Sequence, residues 1–166
     1  MTALANDFLA QHRIAVVGVS RKSSGHGANM VYRRLRDRGY AVFAVNPNAA
    51  KVEGDRAYPD LRSIQGGVDA VVIGTAPEQA DAIVRECDEL GITRVWMHQG
   101  MEPGSVSTSA ADYCRDRGIS VIAGGCPLMF GPTADFSHRC IRWYLERTGA
   151  IPGGLWETPT ARKQTT

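Results

Sequence analysis

Five short apolar runs, each halted by glycine, by Asn-Pro or by Gln-Gly, limit what this chain can fold into. They are Ile14-Ala15-Val16-Val17, Ala41-Val42-Phe43-Ala44-Val45, Ala70-Val71-Val72-Ile73, Arg94-Val95-Trp96-Met97 and Ile119-Ser120-Val121-Ile122-Ala123. Most are apolar without alternation and too short for buried helices, so they read as strands covered on both faces. Longer amphipathic stretches separate them. Met30, Val31 and Leu35 fit a helix that starts near Gly27 and stops at Gly39. Thr75-Ala76-Pro77-Glu78 reads as a helix start, with Thr75 as the cap, Pro77 in the first turn and Glu78 closing a T-x-x-E box. That helix runs to about Leu90 and stops at Gly91, and another spans about Ser107 to Arg117 before Gly118. Residues 48–67 read as mixed, with turns at Gly54 and Gly66-Gly67. A last helix is expected from Thr133 to Arg147, with Phe136, Cys140, Trp143 and Tyr144 on roughly one face.

Strand, helix and strand recurring at a spacing of roughly 25 residues call for a parallel sheet with helices on both faces. The expected fold is therefore α/β: a Rossmann-like, doubly wound, five-stranded parallel sheet. In such sheets ligands sit beyond the C-terminal strand ends, beside the point where strand order reverses. Functional residues should cluster just after Val17, Val45, Ile73 and Met97. Residues 1–149 are expected to form one domain, and the Pro-, Gly- and Thr-rich residues 150–166 a loose tail.

Composition narrows the partners. The 166 residues carry a formal net charge of +2, with sixteen Arg and three Lys spread without a basic block. That argues against a dedicated nucleic-acid or membrane surface and suits a small anionic ligand. No apolar run approaches the roughly 18 residues of a membrane helix, and no signal pattern opens the chain, so a cytoplasmic protein is expected. Cys87, Cys114, Cys126 and Cys140 form no CxxC pair, so reduced thiols are the expectation.

The strand ends carry the chemistry. After the first strand come Gly18-Val19-Ser20-Arg21-Lys22-Ser23-Ser24-Gly25-His26-Gly27. Glycine-exposed N–H groups, serine hydroxyls, two adjacent cations and the positive end of the following helix together suit phosphate. An ordinary solvated turn is the plain alternative, but the loop stands at the expected switch point. It is not a dinucleotide fingerprint, because Ser20 takes the place of the second glycine of GxGxxG. The second strand ends Val45-Asn46-Pro47, without the carboxylate that holds the ribose of NAD. No GxxxxGK[ST] sequence is present. A basic loop without an acidic partner fits a ligand with extra phosphate.

Five segments in register, IAVVGVSRKSSGHG, VNPNAAKVEGDRAYPDL, AVVIGTAPEQA, RVWMHQG and GISVIAGGCPLMF, resemble the small stand-alone CoA-binding proteins. Their fold is similar to the CoA-binding domain of the succinyl-CoA synthetase alpha subunit and of ADP-forming acyl-CoA synthetases. The resemblance covers about residues 8 to 130. It implies that CoA or an acyl-CoA is the ligand, with its phosphate-rich part at the ends of the first strands. By position it implies contacts from Gly18, Val19, Ser20, Arg21, Lys22 and Ser23, from Asn46, Pro47 and Lys51, from Gly74, Thr75 and Pro77, and from His98, Gln99 and Gly100. The synthetases carry their phosphorylated histidine in a second domain, which would begin where this chain ends. No machinery for making an acyl-CoA is therefore evident, and a homo-oligomer or a separate enzyme partner is left open.

Competing readings rest on single features. An NADP-dependent oxidoreductase would use Arg21 and Lys22 for the 2′-phosphate, but GxGxxG and a substrate domain are missing. A redox-linked protein would use Cys126, which in Gly124-Gly125-Cys126-Pro127 is more simply a small buried residue in a tight turn. His138 and Cys140 are two apart on the expected helix, so they do not face one metal. The Arg33, Arg34, Arg36 and Arg38 series reads as a solvated helix face.

Overall fold

The computed structural model describes residues 2–22, 27–99 and 104–130. In chain order the elements are α1 (Thr2–Leu9), β1 (Arg13–Val17), α2 (Gly27–Asp37), β2 (Ala41–Val45), β3 (Lys51–Val52), β4 (Asp55–Tyr58) and β5 (Ala70–Ile73). They continue with α3 (Pro77–Glu89), β6 (Arg94–Met97), α4 (Thr108–Asp116), β7 (Ser120–Ala123) and a 3-10 turn at Pro127–Met129. The sheet order is β3-β4-β2-β1-β5-β6-β7. The five expected strands pair in parallel, and order reverses between β1 and β5, which leaves the switch point at the end of β1.

The central runs are buried because helices cover both faces of the sheet, whereas β2 is buried only at Ala44 and Val45. On one face Ile14, Val16, Val72 and Trp96 pack with Val31 and Leu35 of α2 and Phe8 of α1. On the other, Ala15, Val71, Ile73 and Val95 pack with Val84 of α3 and Ala111 of α4. Adjacent residues of one strand enter different clusters, as the pleat requires. Trp96 is fully buried, its ring set edge-on to Phe8 at 5.3 Å, and its indole N–H donates to the carbonyl of Gly124 at 3.1 Å.

Two corrections concern the expected elements. The sheet has seven strands rather than five, because the stretch read as mixed folds into β3 and β4. These two strands pair antiparallel, Val52 opposite Asp55, around Glu53 and Gly54. Both turn residues have positive φ, +50° and +84°, as a type I′ hairpin turn needs. The second correction is at α3, whose N-cap is Ala76, not Thr75, and makes no side-chain cap bond. Pro77 does open the helix. Ser107 caps α4 as its sequence suggests, its hydroxyl accepting from the Ala110 amide at 3.2 Å. The helix expected from Thr133 to Arg147, with Cys140, and the tail 150–166 lie outside the described residues.

Nor is the arginine series of α2 simply solvated. Arg33 pairs with Glu53 at 2.9 Å and Arg36 with Asp55, so the helix grips the β3–β4 hairpin. Among the described residues no helix is long and apolar enough to cross a membrane.

Candidate functional site

Register places the strand ends level. Val17 is opposite both Val45 and Ile73, and Ile73 is opposite Met97. The ladder continues one residue further. Gly18 N–H donates to the Val45 carbonyl at 3.0 Å, Gly74 N–H to Val17 at 2.9 Å, His98 N–H to Ile73 at 2.8 Å and Gly124 N–H to Met97 at 2.9 Å. The expected positions Gly18, Gly74 and His98 therefore stand in one row at the switch point, joined by Gly124, which the sequence reading had not assigned.

Glycine is required in that row. A Cβ on Gly18, whose φ is +94°, would meet the Gly74 carbonyl oxygen at 2.7 Å and the Thr75 methyl at 2.9 Å. A Cβ on Gly74 would meet the Ala28 Cβ at 2.6 Å, so β5 and the start of α2 pass at backbone contact. This close approach carries the α2 N-terminus, whose first N–H groups have no partner within the helix, to the strand ends.

Two buried polar atoms flank this crossing without a hydrogen-bond partner among the described residues, Thr75 Oγ1 and His98 Nε2. Thr75 stands one residue before the α3 N-cap and turns its methyl to Gly18, so its hydroxyl caps nothing. His98 is 7% exposed, and its ring lies against Gly27, Cε1 falling 2.6 Å from where a Cβ would be. Burial pushes the His98 imidazole down to about 4, so the ring is neutral near pH 7.

The first loop rises beside this row. Val19, expected among the contacts, has no exposed surface, and its carbonyl is taken by Asn46. Ser20 accepts from Lys22 N–H at 3.1 Å, while Arg21 and Lys22 are exposed. Asn46 spends its side chain on the protein, donating to the Val19 carbonyl at 2.8 Å and accepting from Asn48 N–H at 2.8 Å. It positions the loop. Pro47 is exposed beyond it, Pro77 opens α3, and Gln99 is exposed with its amide N–H bonded to Gly125. Lys51 is not brought to the crossing: it lies in β3, three strand spacings or roughly 14 Å from β1. Ser23 and Gly100 lie outside the described residues.

Asn29 was not anticipated. It is fully buried and bonds Ser20 in both directions. No pattern marks a buried asparagine in a helix, and only its partners show what it does.

Cys126 belongs to the core, at 3% exposure beside Leu128 and Phe130, and burial pushes its thiol up to about 11. That environment suppresses the thiolate on which a redox role depends. Among the described residues no three His, Cys, Asp or Glu side chains stand close enough to hold a metal ion.

A doubly wound sheet whose switch point carries a glycine crossing, a helix N-terminus and a basic loop defines a Rossmann-like ligand-binding domain. A family model for the CoA binding domain matches residues 12–132, and the chain belongs to that family. It is similar to the uncharacterized protein YneT of Bacillus subtilis, 31% identical over 114 residues, which are 69% of this chain and 81% of that one. It is also similar to acetate–CoA ligase (ADP-forming) II of Archaeoglobus fulgidus, 31% identical over 88 residues; these cover 52% of this chain but only 13% of the ligase. Among solved structures, a hypothetical protein from Pyrococcus horikoshii OT3 superposes with a TM-score of 0.70 at 25% identity, covering 76% of this chain and 87% of that one.

Proposed function

We propose that this chain binds CoA or an acyl-CoA at the β1/β5 strand ends, with the phosphates against the first loop and the α2 N-terminus. The observation that carries the reading is a pair of buried atoms on either side of the glycine crossing, Thr75 Oγ1 and His98 Nε2, that find no hydrogen-bond partner among the described residues. A buried polar group without a partner is costly, and a polar ligand reaching the strand ends would supply both partners. Neutral His98 serves as hydrogen-bond donor or acceptor and adds no charge, so the cations available to phosphate are Arg21 and Lys22. Membership of the CoA binding domain family and similarity to an acetate–CoA ligase support CoA over other phosphorylated nucleotides. The reading assigns no catalytic residue.

Calorimetric titration of the purified chain with CoA, acetyl-CoA, NAD and NADP tests it. CoA or acetyl-CoA is expected to bind more tightly than either dinucleotide. NAD or NADP binding more tightly, or no heat with CoA, would overturn it.

A further inference from the structure

The first loop is held by its main chain, at Val19 by Asn46 and one residue further on, at Ser20, by a residue of α2. Ser20 N–H donates to Asn29 Oδ1 at 2.8 Å, and Asn29 Nδ2 donates back to the Ser20 carbonyl at 2.8 Å. The second Nδ2 hydrogen goes to Glu53 Oε1 at 2.6 Å. This network fixes the amide orientation, since a flipped group would set an NH2 against an N–H and an oxygen against two oxygens. Asn29 sits in the first turn of α2 with no exposed surface, so the helix fixes where its amide can reach.

Glu53 completes the latch from the other side. It occupies the first position of the β3–β4 turn at φ +50°, the one non-glycine among the described residues with positive φ. Left-handed backbone costs roughly 1 kcal/mol or more for such a residue, and asparagine or glycine would serve the turn better. Yet the Glu53 side chain is only 8% exposed and accepts from both Asn29 and Arg33, the latter at 2.9 Å, while Arg36 donates to its carbonyl at 3.1 Å. A strained turn residue whose carboxylate ends on the loop-holding amide is placed for that contact rather than for the hairpin.

We propose that Asn29, latched by Glu53 and Arg33, is a positioning residue of the first loop, acting at Ser20 as Asn46 acts at Val19. It sets the direction of the main chain at Ser20, from which Arg21 and Lys22 project, and it joins the loop to the β3–β4 hairpin. What the loop then contacts rests on the CoA reading; the latch itself does not.

Amide exchange followed by NMR on the ligand-free chain, with CoA titration of the same samples, separates the two. Asn29→Ala is expected to speed exchange at the Ser20 amide about tenfold or more and to weaken CoA binding by a similar factor. Glu53→Gly is expected to have the same effects in smaller measure, while cross-strand protection at Lys51 and Arg56 persists because glycine accepts the turn conformation. Glu53→Gln, which keeps an acceptor for Asn29 but loses the ion pair with Arg33, should fall between wild type and Glu53→Gly. Unchanged Ser20 exchange in folded Asn29→Ala overturns the proposal, as does a lowered melting temperature with CoA affinity intact, which marks a structural role only. Should Asn29→Ala not fold, Glu53→Gly decides: a protected hairpin with unchanged Ser20 exchange overturns it. If the wild-type chain does not bind CoA, the CoA reading fails and Ser20 exchange alone decides the latch.

Discussion

Thr75 and His98 make opposite demands on the empty and the occupied site. Thr75→Val removes an unpartnered buried hydroxyl and keeps the β-branched shape that packs on Gly18. Free of ligand, the variant is expected to be about 1 kcal/mol more stable in urea melts; with CoA it is expected to bind several-fold more weakly. A variant that is less stable and binds equally well would show that the hydroxyl meets no ligand. His98 predicts a pH effect. Unfolded, its imidazole takes a proton near pH 6.5, whereas the folded ring resists protonation down to about 4. Between those values the unfolded chain binds more protons, so stability falls as pH falls through this window and levels off below it. The contribution reaches roughly 3 kcal/mol at the lower end. His98→Gln should flatten the wild-type decline between pH 6.5 and 4.5, and parallel profiles for the two proteins would refute this account of His98.

At the level of elements, the hairpin and α2 are joined by buried as well as exposed contacts, and the two kinds should respond differently. The Tyr32 hydroxyl, on a side chain only 2% exposed, donates to Asp55 at 2.9 Å. The hydrogen bonds from Arg36 and from Tyr32 hold the Asp55 carboxyl below the usual carboxylate range. Asp55→Ala leaves a buried tyrosine hydroxyl unpaired, which should cost about 1–3 kcal/mol in denaturant melts. As an exposed reference elsewhere in the fold, Arg62, which follows β4, pairs with Glu89 at the end of α3; both side chains are 64% exposed, and Glu89→Ala should cost less than about 1 kcal/mol. Equal losses would mean that the hairpin is not anchored through Tyr32. The same elements mark where the sequence was readable. Apolar runs give β1, β2, β5, β6 and β7 away; burial on both faces leaves no room for polar residues inside β1, β5, β6 and β7, and β2 stays apolar although it is buried only at Ala44 and Val45. Lys51-Val52 and Asp55-Arg56-Ala57-Tyr58 are short and polar, so β3 and β4 carry no such imprint, and Glu53-Gly54 does not advertise its turn as Asn-Gly would. The row of Gly18, Gly74 and His98 follows from strand ends alone. The second roles of Asn46 and Thr75, and Asn29 altogether, depend on which atom meets which across the fold.

Over the whole molecule, the melting temperature reports what the switch point binds, because a ligand that prefers the folded chain stabilises all of it. At CoA a hundredfold above its Kd the gain is about 2.7 kcal/mol. In a chain of this size each kcal/mol moves the melting temperature by roughly 2–4 °C, so an upward shift of about 5–10 °C is expected. Arg21 and Lys22 are exposed on the first loop, away from the two core clusters. Replacing both with Ala should therefore leave the ligand-free melting temperature nearly unchanged, surface substitutions being usually within about 0.5 kcal/mol. If CoA binds as proposed, loss of a charge-assisted contact to phosphate, worth roughly 1.5–3 kcal/mol, should weaken it about ten- to a hundredfold. At the same CoA concentration the double variant then sits at about one to ten times its own Kd, where the gain is only about 0.4–1.4 kcal/mol and the shift a few degrees. Dephospho-CoA divides the contact further. A variant that loses as much affinity for dephospho-CoA as for CoA places these cations on the pyrophosphate, and a loss confined to CoA places them on the 3′-phosphate. Equal CoA-induced shifts in the wild type and the double variant would remove the first loop from the site and leave the phosphates to the α2 N-terminus alone.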